Sequence, residues 1–260
     1  MRKACLVILV LWAAAGAGMR REEAVYASVD GRDLKATLYL PPDGRSRPAL
    51  VCFHEGGFRS GDRACFEEYG NHFASRGIVV MAVSYRLVQQ GGRYPAAIRD
   101  CMEAVKWLKA RSGRLGVDTA RIALLGSSAG AYLAVMTALS EGLAPGIRAV
   151  VSSFGVYDWE KASWKGDGFL PRGMERRASP VYYTRFARAD FLILAGETDR
   201  LFPLEDALRF ADSLRKAGRS VEVKIMPKQD HEGLCLLDRG VGAWALPVME
   251  RFLMDKLGMK

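Results

Sequence analysis

The stretch RIALLGSSAGAYLAVMTAL, residues 121–139, decides the fold. Its first residues are apolar enough for a buried strand, and its last residues are apolar enough for a buried helix. Between them lies GSSAG, residues 126–130, in which small residues flank Ser128 on both sides. A serine in a tight turn from strand to helix has a strained backbone, so the residues two positions away must be small. The pattern predicts that Ser128 is the reactive hydroxyl; Ser127 is the competing one, but the glycines are centred on Ser128.

Apolar runs typical of strands alternate with helical patterns along the rest of the chain. Strands are expected at residues 24–29, 35–40, 49–53, 78–83, 121–125, 147–152, 191–195 and 221–226. Helices are expected at residues 66–76, 95–111, 204–217 and 245–257 and from the GSSAG turn to about residue 139, and residues 157–188 are read as irregular. This order predicts an α/β fold with a mostly parallel central sheet and helices on both faces.

Length and composition indicate one ordinary globular domain. The 260 residues are 50% hydrophobic and 26% charged, which excludes a disordered chain. The net charge of +9 comes from scattered Lys and Arg. It is interpreted as an aid to solubility, with an anionic polymer or membrane surface as the alternative, and no nucleic-acid partner is expected.

The amino terminus has the pattern of an export signal. Arg2 and Lys3 precede an uncharged run at residues 4–15 that ends in small residues. This order predicts a signal peptide at residues 1–17 and a mature catalytic domain at residues 18–260, secreted or periplasmic. The run is short for a membrane span, so no stable membrane insertion is expected after cleavage, and a retained anchor is the alternative.

Four cysteines would remain in the mature chain: Cys52, Cys65, Cys101 and Cys235. Export permits disulfides, and four cysteines allow three pairings, which the sequence leaves open. Cys52 lies in an apolar run and is expected to be a buried thiol. The spacings fit no zinc site, and no metal is predicted.

A serine nucleophile needs a base, and the chain has three histidines. In this type of fold the base follows the nucleophile along the chain, and only His231 lies after Ser128. It follows the strand at residues 221–226, as a base at the carboxyl edge of the sheet should. His72 falls on a helix and is expected at the surface, whereas His54 is expected to brace a loop.

The acid that orients the base is expected after the strand at residues 191–195. Asp199 is the predicted acid and Glu197 the runner-up; the alternative for either is a solvated loop carboxylate. Asp230 adjoins His231, but neighbouring side chains in an extended loop usually point apart.

Ester hydrolysis also needs backbone N–H groups aimed at the developing oxyanion. One donor is expected from Ala129, directly after Ser128. The others are expected from the sequence HEGG, residues 54–57, where glycines let the backbone approach closely.

Several motifs together resemble the hormone-sensitive-lipase-like esterases and the related bacterial acetyl xylan and feruloyl esterases. These motifs are HEGGF at 54–58, YRL at 85–87, YPAA at 94–97, Asp100, GSSAG at 126–130, Ser179-Pro180, GETD at 196–199, Pro203 and His231, in family order over residues 25–255. The resemblance implies the α/β-hydrolase fold, acyl-ester substrates and no cofactor. It implies a Ser128–Asp199–His231 triad and an oxyanion site at Gly56, Gly57 and Ala129.

The sequence departs from that family pattern at two places. Glu55 replaces the first glycine of the family's His-Gly-Gly-Gly loop, and a carboxylate near the oxyanion would oppose charge development unless it points away. Ser84 stands where many relatives have an acid. The resemblance implies a structural ion pair between Arg86 and Asp100.

The leading hypothesis is a serine hydrolase that cleaves small-molecule or polysaccharide esters through an acyl-enzyme, with polysaccharide deacylation favoured by export. The alternatives are a peptidase of the prolyl-oligopeptidase type, for which 260 residues leave no room for a propeller or cap, and a non-catalytic binding module. The aromatic-rich residues 157–183 are read either as a lid or pocket wall or as a surface excursion packed on the core. The oligomeric state is left open.

Overall fold

The computed structural model describes residues 18–42, 45–143, 145–234 and 240–259. The expected signal peptide at residues 1–17 and Cys235 lie outside them. The strands of the described chain are β1 Arg20–Val29, β2 Arg32–Leu40, β3 Arg47–Phe53, β4 Val79–Val83, β5 Val117–Ser127, β6 Ile147–Ser153, β7 Asp190–Gly196 and β8 Val221–Met226. They form one sheet in the order β1-β2-β4-β3-β5-β6-β7-β8. β2 pairs antiparallel with β1 and β4, and all other pairs are parallel, which confirms the predicted mostly parallel sheet.

Helices cover both faces of the sheet. Within the described residues they are α1 Glu67–Ser75, α2 Ala96–Ala110, α3 Ser112–Leu115, α4 Ala129–Ala138, α5 Glu175–Ala178, α6 Leu204–Lys216 and α7 Gly240–Lys256. Short 3₁₀ turns lie at Arg63–Phe66, Val88–Gln90 and Pro180–Phe186. Buried residues of α2, α4 and α6 join one core cluster, and those of α1 and α7 join the other.

Alternation along the strands separates these two cores. In β3, Val51 and Phe53 belong to the first cluster and Leu50 and Cys52 to the second. Successive strand side chains point to opposite faces, so a strand covered on both sides must be apolar throughout. This is why the central strands read as continuous apolar runs. α4 is buried at every position, as its uninterrupted apolar sequence predicts.

Several element boundaries differ from the sequence-based expectation, and β1 and β2 begin earlier, at Arg20 and Arg32. β5 begins at Val117 rather than near residue 121, because Val117 pairs with Arg47 across the sheet. α7 begins at Gly240 rather than near residue 245, because Val241 is buried in the core despite its flanking glycines. The stretch expected to be irregular contains α5 and a 3₁₀ turn.

The cysteines of the described chain are free thiols. Cys52 and Cys101 are buried, Cys65 is half-buried, and none of the three is paired. The prediction of a buried Cys52 thiol is confirmed, and burial holds the thiol pKa of Cys52 and of Cys101 well above the ordinary value. No helix within the described ranges has both the length and the apolar character needed to cross a bilayer.

The parallel strands bring distant loops to one edge. The oxyanion loop, residues 54–57, follows β3, and Ser128 follows β5. The acid loop, residues 197–203, follows β7, and the histidine loop, residues 227–234, follows β8. The carboxyl ends of parallel strands share one side of the sheet, which is where open α/β sheets bind their ligands.

Candidate active site

Ser128 occupies the strained turn that its sequence predicts. Its backbone has φ 51° and ψ −116°, a conformation that L residues rarely adopt. A Cβ on Gly126 would lie 2.1 Å from the carbonyl oxygen of Gly130, and one on Gly130 would lie 1.9 Å from that of Phe53. Only glycine therefore fits at either position, and the turn lifts the Ser128 side chain above the sheet edge.

Ser128, His231 and Asp199 form a continuous hydrogen-bonded chain. The Ser128 Oγ lies 2.9 Å from the His231 Nε2, and the His231 Nδ1 lies 2.9 Å from the Asp199 Oδ2. A carboxylate can only accept, so Nδ1 carries the proton on that side and Nε2 is left to accept the Ser128 hydroxyl. The structure thus brings together the three residues named from the sequence.

The Asp199 carboxylate is itself firmly held. Its side chain is only 2% exposed, and its Oδ1 accepts the backbone N–H groups of Leu201 and Phe202, each at 2.9 Å. The second oxygen is thereby aimed at His231. The rings of Phe202 and Phe154 contact the imidazole edge-on, at centroid distances of 5.2 and 5.8 Å, and restrict its rotation.

The residues expected to supply the oxyanion donors lie beside Ser128. Gly56 and Gly57 line one cavity with Ser128 and His231, and Ala129 is the first residue of α4, directly after Ser128. Gly56 has φ 116°, and a Cβ there would lie 2.3 Å from the Ser60 carbonyl oxygen. Glycine at this position therefore allows the backbone to fold tightly beside the nucleophile.

The other two histidines have partners outside the Ser128–His231 pair. His54 is buried, its Nδ1 contacts the Glu55 carbonyl oxygen at 2.7 Å, and its ring stacks on Tyr85 at 4.2 Å. Burial lowers the pKa of His54, which favours the neutral ring. This geometry fits the expected loop brace. His72 lies on α1, as expected, and is partly covered where its Nε2 contacts Glu250 of α7 at 3.0 Å.

The residues that the sequence offered as alternatives to Asp199 and Ser128 bond to other groups. The Glu197 carboxylate accepts the Lys228 N–H at 2.7 Å and is exposed, and the buried Ser127 Oγ accepts the Leu234 N–H at 3.2 Å. Asp230 does not face the imidazole. Its Oδ1 accepts the backbone N–H groups of Arg200 and His231, at 3.0 and 2.8 Å.

Asp230 was set aside as the acid from the sequence, but its contacts between two loops of the site were not foreseen. It ties the acid loop to the histidine loop, and the same two N–H groups hold the pKa of its carboxyl below the ordinary value. An aspartate whose side chain caps a nearby N–H is typical of such loops, and that tendency was the available signal.

A cavity of about 320 Å³ opens above Ser128. Residues of the oxyanion, acid and histidine loops line it together with Ser128 and Trp164. The lining residues are Glu55, Gly56, Gly57, Ser128, Trp164, Leu201, Phe202, His231, Glu232 and Gly233. Among the described residues, no group of three His, Cys, Asp or Glu side chains is arranged to hold a metal ion.

Residues 157–183 contribute both to the core and to this cavity. Trp159 and Phe169 are fully buried, and Phe169 stacks on Phe58 at 3.7 Å. Trp164 instead lines the cavity, and a Cβ on Gly57 would lie 3.6 Å from its ring. Part of the segment is thus packed on the core, and Trp164 forms a wall of the cavity.

Arg86 and the buried Asp100 form a bidentate pair. The guanidinium donates to both carboxylate oxygens, with Nε–Oδ2 at 2.9 Å and Nη2–Oδ1 at 2.8 Å. The hydrogen bond to Asp100 raises the pKa of Arg86. The pair connects β4's end to α2, in agreement with a structural role.

Sequence comparisons find esterases among the proteins similar to this chain. Esterase LipC of Mycobacterium tuberculosis is 30% identical over 220 residues, which cover 74% of this chain and 54% of LipC. Ethyl acetate hydrolase of Pseudomonas putida is 28% identical over 240 residues, which cover 78% of this chain and 72% of that protein. This chain thus spans only part of either relative's length.

The fold also matches solved structures of an esterase. Est2, a thermophilic esterase from Thermogutta terrifontis, has a TM-score of 0.77 and 26% identity, covering 90% of this chain and 91% of that chain. The same esterase phosphoramylated by tabun has a TM-score of 0.79 at 25% identity, covering 90% and 94%. Residues 37–214 match the BD-FAE family. The chain therefore belongs to the BD-FAE family, has the α/β-hydrolase fold, and has esterases among its relatives.

Proposed function

We propose that this protein hydrolyses carboxylic esters through an acyl-enzyme on Ser128. The single observation that carries the proposal is the chain from Ser128 through His231 to Asp199, with both hydrogen bonds at 2.9 Å. A nucleophile, a base within hydrogen-bonding reach and a group that orients the base are the parts that acyl transfer requires. The esterase relatives support the same chemistry.

The reaction proceeds in two halves. The Ser128 Oγ attacks the ester carbonyl carbon while His231 Nε2 takes the hydroxyl proton, and the carbonyl oxygen becomes an oxyanion facing the N–H groups of Gly56, Gly57 and Ala129. The carbonyl re-forms, the alcohol leaves with the proton from Nε2, and the acyl group stays on Ser128. Water then attacks the acyl carbon while His231 Nε2 takes one of its protons. The second oxyanion collapses, the bond between the acyl carbon and the Ser128 Oγ breaks, Nε2 returns the proton to that oxygen, and the acid leaves. Asp199 stabilises the imidazolium in both halves.

The cavity favours small esters. A volume of about 320 Å³ is at the lower end of ordinary ligand pockets, which run from roughly 300 to 1,000 Å³. Trp164 and Phe202 supply an apolar wall beside Ser128. Among the relatives, Est2 has been solved with propionate and with butyrate bound, which supports short acyl chains here.

Export and polysaccharide substrates are part of the same proposal. The pattern of residues 1–17 supports removal of a signal peptide and action outside the cytoplasm, where acylated polysaccharides are available. Amino-terminal sequencing of the mature protein checks the first point, with a start near residue 18 expected and retained residues 1–17 contradicting it. Acetate release from acetylated xylan checks the second, and turnover of p-nitrophenyl acetate alone would restrict the protein to small esters.

The decisive test compares Ser128→Ala with Ser140→Ala on p-nitrophenyl butyrate. Ser140 lies beyond the far end of α4, where its hydroxyl bonds to the Met136 carbonyl at 2.9 Å and to the Met102 Sδ at 3.6 Å, so its loss should leave turnover unchanged. Ser128→Ala should reduce kcat by at least 10³-fold with an unaltered melting temperature, because the nucleophile is gone. Comparable turnover by the two variants would contradict the proposal, and faster cleavage of a dipeptide amide than of the ester would point to a peptidase.

A further inference from the structure

Glu55 makes a long-range contact inside the site. Its Oε2 accepts the backbone N–H of Leu234 at 2.9 Å, across 179 positions of sequence. Leu234 is fully buried in the core cluster that α1 and α7 share, and it lies three residues after His231. The carboxylate therefore joins the oxyanion loop to the histidine loop at the point where the histidine loop enters the core.

The surroundings of this carboxylate are closely fitted. A Cβ on Gly233 would lie 1.9 Å from the Glu55 Oε1 and 2.2 Å from its Cδ, so the carboxylate lies directly on the Gly233 backbone. The Leu234 N–H also contacts the Ser127 Oγ at 3.2 Å. One amide thus bonds to the oxyanion loop and to the residue preceding the nucleophile.

The histidine loop is fixed on both sides of His231. Before the imidazole, Asp230 accepts the N–H groups of His231 and Arg200. After it, Leu234 donates to Glu55. With so few residues between these two attachments, a shift at Leu234 moves the imidazole relative to Ser128. A misplacement of about 1 Å in a catalytic site can cost on the order of 10²-fold in rate.

We propose that Glu55 is a positioning residue for His231, a role that rests on the proposed esterase function. Its carboxylate serves as the acceptor that holds the histidine loop against the oxyanion loop, so that Nε2 stays within reach of Ser128. This role accounts for a carboxylate at the place where the resembling family has a glycine. The side chain needs an acceptor oxygen for the purpose, and it does not need a negative charge.

The test compares Glu55→Gln with Glu55→Ala on p-nitrophenyl butyrate. Glutamine keeps an acceptor oxygen of the same reach, so kcat should stay within about threefold of the unaltered protein. Alanine removes the acceptor, so kcat should fall by roughly 10- to 100-fold while KM changes less than about twofold. Asp118→Ala is the matched control, because Asp118 also accepts a backbone N–H, from Ala120 at 2.9 Å, at the opposite end of β5. It should leave kcat unchanged.

A double-mutant cycle with Gly233→Ala tests the same contact from its other side. The added methyl group overlaps the Glu55 carboxylate, so Gly233→Ala alone should lower kcat by about tenfold or more. In the Glu55→Ala background that space is empty, so adding Gly233→Ala should lower kcat no further. If Glu55→Ala folds poorly, Gly233→Ala in the otherwise unaltered protein still tests the contact, and an unchanged kcat there would contradict the positioning role.

Three results would overturn the positioning role. One is an unchanged kcat in Glu55→Ala. Another is a higher kcat in both Glu55→Gln and Glu55→Ala, which would mean that the charge only opposes the oxyanion. The third is strict additivity of Glu55→Ala and Gly233→Ala. Each leaves the esterase proposal standing, whereas equal turnover by the unaltered protein and Ser128→Ala would remove the proposed function itself.

Discussion

Replacing Asp199 by asparagine keeps the size of the side chain and exchanges one carboxylate oxygen for an NH₂ group. The backbone N–H groups of Leu201 and Phe202 both point at the Oδ1 position, so the amide oxygen of asparagine must lie there. The NH₂ group is then directed at the His231 Nδ1, where the Oδ2 lay at 2.9 Å. Two donors cannot face each other, so Nδ1 becomes the acceptor and the proton moves to Nε2.

The consequence is a histidine in the wrong tautomer. With its proton on Nε2, His231 cannot accept the Ser128 hydroxyl proton, and the imidazolium loses its carboxylate. In a serine protease triad the same exchange lowers kcat by about 10⁴-fold. That loss corresponds to about 5.4 kcal/mol in the barrier, at about 1.36 kcal/mol per tenfold change. Asp199→Ala removes the partner without imposing the wrong tautomer, so Asp199→Asn should be at least as slow.

The assay is kcat on p-nitrophenyl butyrate for Asp199→Asn, Asp199→Ala and the unaltered protein, with circular dichroism to verify folding. Glu197→Gln is the comparison on the same loop, since its carboxylate bonds to Lys228 rather than to the imidazole. The reasoning is refuted if Asp199→Asn stays within tenfold of the unaltered protein, or if Glu197→Gln is the slower variant.

Three further predictions concern the turn, the cavity and a buried histidine. Gly130→Ala should lower the free energy of unfolding by about 1–3 kcal/mol and reduce kcat, because the added Cβ would overlap the Phe53 carbonyl oxygen. Urea unfolding measures the loss of stability, and an unchanged urea midpoint would contradict this prediction. Trp164→Ala should raise kcat/KM for octanoyl relative to butyryl esters, by up to about fourfold for each added buried CH₂ group, and an unaltered chain-length profile would exclude Trp164 as an acyl wall. Burial lowers the pKa of His54 below its ordinary value of 6.5. When the pH falls through 6.5, the imidazole of the unfolded chain takes up a proton while that of the folded chain stays neutral, so the free energy of unfolding falls. The urea midpoint should therefore drop less between pH 7.5 and pH 5.5 in His54→Gln than in the unaltered protein, and equal drops would contradict this.

The order of strands and helices could be predicted because both core faces leave a local signal. Continuous apolar runs such as residues 191–195 correspond to strands buried on two sides, and β7 lies there. The turn at Ser128 was predictable because close backbone approach admits only glycine at Gly126 and Gly130. His231 and Asp199 followed from their places after particular strands.

The remaining features depend on contacts between distant parts of the chain. Nothing near Glu55 in sequence indicates that its carboxylate meets the Leu234 N–H, or that Gly233 leaves room for it. β5 extends to Val117 only because Arg47 of β3 pairs with it. Periodicity and motifs report the local environment of a residue, so contacts of this kind emerge only when the chain is folded.

Mass spectrometry after reaction with a fluorophosphonate tests the central claim most directly, because such reagents phosphonylate a serine only where a base and an oxyanion site activate it. We expect one adduct per chain, on the peptide that contains Ser128, at a rate that falls by orders of magnitude in His231→Ala. An intact protein that takes up no label, or one labelled equally fast on another serine when Ser128 is alanine, would contradict the account.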